Sequence, residues 1–209
     1  MISSSTIDEV RALPALDKEP LRWVMEEEKP AQGDNLLWLE FGVWKGDTIR
    51  YISGFTDQKI YGFDSFEGLP EFWRTGFEAG AFSEQGKLPS VPENVGLVKG
   101  WFEDTLPMFL EEQNKKRISF VHLDADLYSS TKFVLSSIAS RLSTDAIIVF
   151  DELINYDGFD DDNGELRAWD EFIREWAVAY SWIGGYGEFG DYRTCNEKAA
   201  VRIHDVKPV

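Results

Sequence analysis

The sequence predicts an α/β fold built on one mostly parallel sheet, and three observations lead there. Short apolar runs recur along the chain, helix-like segments lie between several of them, and acidic residues gather where the runs end. At 209 residues, 43% hydrophobic and 28% charged, the chain sits in the single-domain range, so one compact core is expected.

Residues 1–35 read as an N-terminal helical segment. Thr6 is placed to cap a helix over Ile7–Leu13, and Pro20 suits a first helical position before Leu21, Trp23, Val24 and Met25. The sheet-forming domain is expected over 36–209. Leu36–Phe41, set off by Gly33, Asp34 and Asn35, is too short and too uniformly apolar for a helix and reads as a buried strand. Ile60–Phe63, Val95–Val98, Ile118–Leu123 and Ala146–Phe150 repeat the pattern. Ser129 and Ser130 are placed to cap a helix whose apolar face is Val134, Leu135, Ile138 and Leu142. A second helix carries Leu166, Trp169, Phe172, Ile173 and Trp176 at steps of one, three and four, a stripe that packs on a sheet. Trp182–Tyr186 and Ala199–Ile203 have no helical pattern between them and are expected to pair antiparallel. The count is seven strands, with helices on both faces. The stretch from Gly62 to Gly96 is a long Gly- and Phe-rich connection, which in a compact domain marks a functional lid, here Ser65–Asn94.

Composition narrows the function. Thirty-eight acidic against 21 basic residues give a formal charge of −17, a field that repels phosphate backbones and anionic lipid, so nucleic acid and membrane surfaces are not expected partners. Eight Trp, seven Tyr and 15 Phe are too many large apolar groups for a disordered acidic chain. Cys195 is the only cysteine, which excludes an internal disulfide and a Cys-based zinc cage; it is expected to be inert. With no signal-peptide pattern and no apolar run of about 18 residues, a cytoplasmic location is expected. Two histidines, His122 and His204, leave carboxylates to carry most of the chemistry. His122 is expected to be buried structure.

In an open parallel sheet ligands bind beyond the carboxyl ends of the strands, and those ends are acidic here. The first run ends in Glu40-Phe41-Gly42-Val43-Trp44-Lys45-Gly46, where Glu40 supplies a carboxylate and Gly42 and Gly46 allow close backbone approach. Asp64 ends the second run, 24 residues on, where an acid can accept hydrogen bonds from ribose hydroxyls. Together they favour an adenosine-containing ligand that needs no phosphate pocket. The fourth and fifth runs end in Asp124-Ala125-Asp126 and Asp151-Glu152. If these strands are neighbours, their tips lie about 5 Å apart, and four carboxylates so close call for protons or a hard divalent cation such as magnesium. Asp157–Glu165 looks like a calcium loop, but aligning Gly164 with the required glycine puts Phe159 at the first ligand position, so a solvated loop is expected.

Four segments together resemble the macrocin O-methyltransferase family of Rossmann-like class I, S-adenosylmethionine-dependent enzymes: Glu40–Gly46, Gly62-Phe63-Asp64-Ser65-Phe66-Glu67-Gly68-Leu69-Pro70, Lys99–Pro107 and His122–Thr131. The resemblance covers about residues 36–175. It implies that Glu40, Gly42 and Asp64 hold S-adenosylmethionine with Trp101 and Phe102 near the adenine; Gly46, Ser65, Gly100 and Asp124 complete the expected cofactor set. Asp124, Asp151 and Glu152 match metal-ligand positions for Mg2+, and Asp126 the general base. Where the family often has an Asp-Asp pair, this chain has Asp151-Glu152. The implied activity is methyl transfer to a hydroxyl of a sugar or small metabolite. A small-molecule acceptor is thus the expected partner, with homo-oligomer formation open. Two alternatives compete: a glycosyltransferase using Asp124-Ala125-Asp126 as its D-x-D motif, which leaves the Glu40 loop unexplained, and a non-catalytic cofactor-binding protein.

Overall fold

The computed structural model describes residues 1–156, 159, 164–186 and 197–208. Cys195 and most of the acidic loop Asp157–Glu165 lie outside them. The strands are β1 (Ala15–Leu16), β2 (Leu36–Phe41), β3 (Ile60–Asp64), β4 (Val95–Lys99), β5 (Arg117–Leu123), β6 (Leu142–Phe150), β7 (Ala179–Tyr186) and β8 (Ala199–Asp205). They form one sheet in the order β1-β7-β8-β6-β5-β2-β3-β4, parallel except where β8 runs antiparallel to β6 and β7. The helices are α1 (Ser4–Arg11), α2 (Pro20–Trp23), α3 (Asp47–Ser53), α4 (Phe102–Glu112), α5 (Tyr128–Ile138) and α6 (Gly164–Glu175). No helix among the described residues is long and apolar enough to cross a membrane.

All seven expected strands are present, and the terminal pair is antiparallel as the pattern predicted. The eighth, β1, pairs parallel with β7 through two residues beside Pro14 and is too short to leave any alternation in the sequence. Helix starts differ too. Ser3, not Thr6, caps α1, while the Thr6 hydroxyl joins Ser3 in donating to Asp170 Oδ1 at 2.7 Å, tying the N-terminal segment to α6. Ser129 and Ser130 fall inside α5, whose N-cap is Leu127 with no side-chain bond; Ser129 donates instead to Glu71 of the long connection at 2.6 Å.

Strand alternation builds two cores and aims the site. Leu37, Leu39 and Phe41 of β2 join Val121 and Leu123 of β5 in the core under α5 and α6. Trp38 and Phe120 enter the core on the opposite face with Ile147 and Val149. Glu40, His122 and Asp151 continue that second alternation toward the carboxyl edge, and Glu40 pairs in register with His122. At the edge itself the loops are stitched to neighbouring strands: Gly42 N to Phe63 O (3.0 Å), Asp124 N to Phe41 O (2.8 Å), Asp151 N to Leu123 O (2.8 Å) and Gly100 N to Asp64 O (3.0 Å).

Candidate active site

One cavity of about 740 Å³ opens at that edge, in the range of small-molecule sites. Gly42, Asp64, Ser65, Gly100, Trp101 and Phe102 line one part of it. Asp124, Asp126, Asp151 and Glu152 line another. The long connection folds over it, its backbone closed on itself by Leu69 N to Ala81 O (2.9 Å) and Gly86 N to Phe66 O (2.8 Å). From it Trp73, Arg74, Phe77 and Phe82 reach the wall, with Arg74 stacked 4.0 Å from the Trp73 ring.

Asp64 does more at its strand tip than wait for a ribose. Its Oδ2 accepts from the Val43 and Trp44 N–H groups at 2.8 and 2.7 Å and its Oδ1 from Phe66 N–H at 2.6 Å. The carboxylate therefore clasps the Gly42 loop to the start of the lid, and of its roughly four acceptor positions about one remains for a ligand. Gly42 has φ +91°, and a Cβ there would lie 1.8 Å from the Asp124 carbonyl oxygen, so the glycine serves the close approach of two strand-tip loops. Gly42→Ala is expected to destabilise the chain by about 1–3 kcal/mol. An unchanged midpoint in urea unfolding would refute that reading of the contact.

Glu40 and Gly46, expected at the cofactor, are absent from the cavity wall. Glu40 is 2% exposed and its Oε1 meets His122 Nδ1 at 3.1 Å; Gly46 is the N-cap of α3. His122, fully buried, lies 3.5 Å through Nε2 from Asp151 Oδ1. Burial alone would drive His122 neutral, but the acids that face it, Asp151 across 3.5 Å and the hydrogen-bonded Glu40, outweigh it and raise the imidazolium to about 10. Burial also pushes the Asp151 carboxyl up, yet His122 and Lys198 together hold it well below the usual range.

The strand ends at Leu123, and the chain then turns sharply about Asp126, with φ +58° and Leu127 N–H bonded to Ala125 O at 2.5 Å. This is the strained form of γ-turn. It brings Asp126 together with Asp124 and Glu152: one oxygen from each lies within 4.8 Å of the others. Asp151, expected among the metal ligands, lines the same cavity but is not in this group; its Oδ1 accepts from Lys198 Nζ at 2.5 Å and lies 3.5 Å from His122 Nε2. Three hard oxygen donors so close fit a magnesium-like cation. Burial, then the charge of Asp151, raises Asp126 to about 7, against the pull of Arg74. Burial likewise pushes Asp124 and Glu152 well up.

Glu165, the second residue of α6, was not singled out by its sequence. It is fully buried, accepts from the Thr131 hydroxyl at 3.0 Å, and burial raises it to about 8. Its signal was position: with Trp169 and Phe172 it falls on the apolar stripe, where a carboxylate needs a reason. Since Asp126 and Glu165 bind protons more tightly folded than unfolded, their ionisation opposes folding. Stability of the ligand-free chain is expected to fall as pH rises from about 4 to about 8, and millimolar Mg2+ is expected to reduce the fall. Thermal unfolding at pH 5.5 and 8, with and without the ion, reads this; equal midpoints at both pH values would count against the raised carboxyls.

A mostly parallel sheet with an antiparallel pair toward one end, carrying a large cleft at its carboxyl edge, is the Rossmann-like fold shared with class I methyltransferases. Sequence comparison agrees. The chain belongs to the family described as "Methyltransferase domain", whose model matches residues 39–153. It is 28% identical over 141 residues to the 8-demethyl-8-(2,3-dimethoxy-alpha-L-rhamnosyl)-tetracenomycin-C 4'-O-methyltransferase of Streptomyces olivaceus, covering 54% of this chain and 51% of that one. It is 25% identical over 154 residues to the demethyldecarbamoylnovobiocin O-methyltransferase of Streptomyces niveus, covering 62% and 57%. The chain thus spans about half the length of the curated relatives it matches. Among solved structures, the calicheamicin methyltransferase CalS11 superposes with a TM-score of 0.57 at 23% identity, over 87% of this chain and 74% of that one.

Proposed function

We propose that this chain is a macrocin-type O-methyltransferase that carries the methyl group of S-adenosylmethionine to a hydroxyl of a sugar or small metabolite, assisted by a divalent cation such as Mg2+. One observation carries the reading: a single cavity joins Asp64, Trp101 and Phe102, suited to an adenosine, to a carboxylate cluster holding a group that ionises near neutrality. The relatives' names support the hydroxyl as acceptor, since both act in O-methylation.

Bound S-adenosylmethionine supplies an electrophilic methyl carbon on a sulfonium, and a bound divalent cation supplies Lewis acidity toward the acceptor oxygen. Asp124, Asp126 and Glu152 are the residues that would hold the cation. Asp126 has a second role: as the acceptor oxygen bonds to the methyl carbon and the carbon–sulfur bond breaks, its carboxylate takes the hydroxyl proton. The aromatic side chains of the lid exclude water from the cleft.

Calorimetric titration with S-adenosylmethionine tests the cofactor half. Asp64→Ala is expected to weaken binding by one to two decades, from the loss of about 1.5–3 kcal/mol of charge-assisted hydrogen bonding to ligand and loop. Unchanged affinity would remove Asp64 from the site.

A further inference from the structure

α5 starts without a cap of its own. Among the described residues its N-cap, Leu127, makes no side-chain bond, and its first turn, Tyr128-Ser129-Ser130-Thr131, holds no acid. The positive end of an 11-residue helix is therefore left to a neighbour. That neighbour is the lid. Glu71 Oε1 accepts from the Ser129 hydroxyl at 2.6 Å, and both residues stand on the cavity wall.

The same helix start continues directly from the turn at Asp126, whose φ of +58° is strained for a side chain of this kind. Such a turn persists when its surroundings fix it from both sides. On the strand side the Asp124 N–H bond to Phe41 O does so. On the helix side the hydroxyls of Ser129 and Thr131 are held, by Glu71 from the lid and by Glu165 from α6. From Glu71 the lid leads back to the cofactor's part of the wall through touching rings. Trp73 and Phe77 have centroids 5.3 Å apart, Phe77 and Phe82 5.2 Å, and Phe82 and Trp44 of the Gly42 loop 5.5 Å. Lys99 Nζ pins the far end, donating to Gly86 O at 2.6 Å.

We propose that Glu71 is a positioning residue: reaching across from the lid, it caps α5 and steadies the Asp126 turn, so that closing the lid over the cofactor also fixes the base. Its catalytic meaning rests on Asp126 as the base, which the rate of Asp126→Asn reads separately. The link from lid to helix stands on the contacts alone.

Amide hydrogen exchange on the intact chain, free and saturated with S-adenosylhomocysteine, tests the link. In the wild type the ligand is expected to slow exchange over the lid and, through Glu71, over 127–131 by about threefold to tenfold, the size of one hydrogen bond and a charge at a helix end. Glu71→Ala is expected to keep the slowing at the start of the lid and to lose it at 127–131. Ser129→Ala should do the same, the double variant should lose no more than either, and Glu71→Gln, which retains an acceptor oxygen, should keep most of the response. Exchange over Ile118–Leu123 of β5 is expected to be unchanged throughout, which separates a broken link from a loosened fold. Full slowing at 127–131 in Glu71→Ala overturns the proposal. So does a wild type whose lid responds to the ligand while 127–131 does not. If S-adenosylhomocysteine fails to bind the wild type, the proposed function falls first and the link with it.

Discussion

Asp126→Asn is expected to lower methyl transfer by about 10²–10⁴, because the amide keeps the shape of the carboxylate and loses the ability to take the hydroxyl proton. That loss corresponds to about 3–5 kcal/mol of barrier. Since Asp126 shares the triad with Asp124 and Glu152, the variant should also need more divalent cation, and rates are to be compared at saturating ion. S-adenosylmethionine affinity should not move. At limiting cation the wild-type rate is expected to climb with pH through about 7, since the base works only when ionised; a bound cation favours the ionised carboxylate and is expected to move the climb to lower pH, and the asparagine variant should lose it. A variant with a rate within about tenfold of wild type and the same pH profile would dismiss Asp126 as the base.

The largest loss of stability is expected from His122→Leu, about 3–5 kcal/mol, because it strips a buried cation from between the buried Glu40 and the partly exposed Asp151. For a chain of this size that is a fall of roughly 6–20 °C in Tm. Glu40 is 2% exposed, its Oε1 faces the imidazole, and its Oε2 has no hydrogen-bond partner among the described residues, so it has no alternative. Replacing both, as Glu40→Leu/His122→Leu, should recover part of the loss, since an apolar pair leaves no unpaired charge. Chemical unfolding of the three proteins measures it; a loss below about 1 kcal/mol in the single variant would show that the pair is solvated after all.

The strand tips were legible because burial on both faces makes each parallel strand a continuous apolar run, and the run stops where the chain meets solvent or ligand. That is why Asp64, Asp124, Asp126 and Glu152 could be placed at one edge before any coordinates. What each carboxylate faces was not legible. Lys198 lies 47 residues from Asp151 and meets it only because β8 inserts beside β6, a pairing that no local pattern encodes. Glu40 sits at a strand tip in sequence, but alternation turns it toward His122 and into the protein. At Asp126 the sequence left two courses open, regular extension on the face of Asp124 or a turn that aims the carboxylate across the cleft, and the backbone takes the turn, with positive φ. The two-residue β1 carries too few residues to show any period.

The strand order has a consequence for assembly. β8 follows β7 in the chain but lies between β7 and β6, and β1 touches the sheet only through β7. β1 and β7 therefore join the rest of the sheet only once β8 has docked on β6. Such non-local closure is slow and leaves an open hydrogen-bonding edge on β6 in the interim. Until β8 has docked, β6 is the open margin of the parallel half, so a partly folded species of this chain should present β6 as its sticky edge. Its solvent-side residues, Ser143, Thr144 and Asp145 at the start of the strand, are the polar groups that would blunt mispairing there.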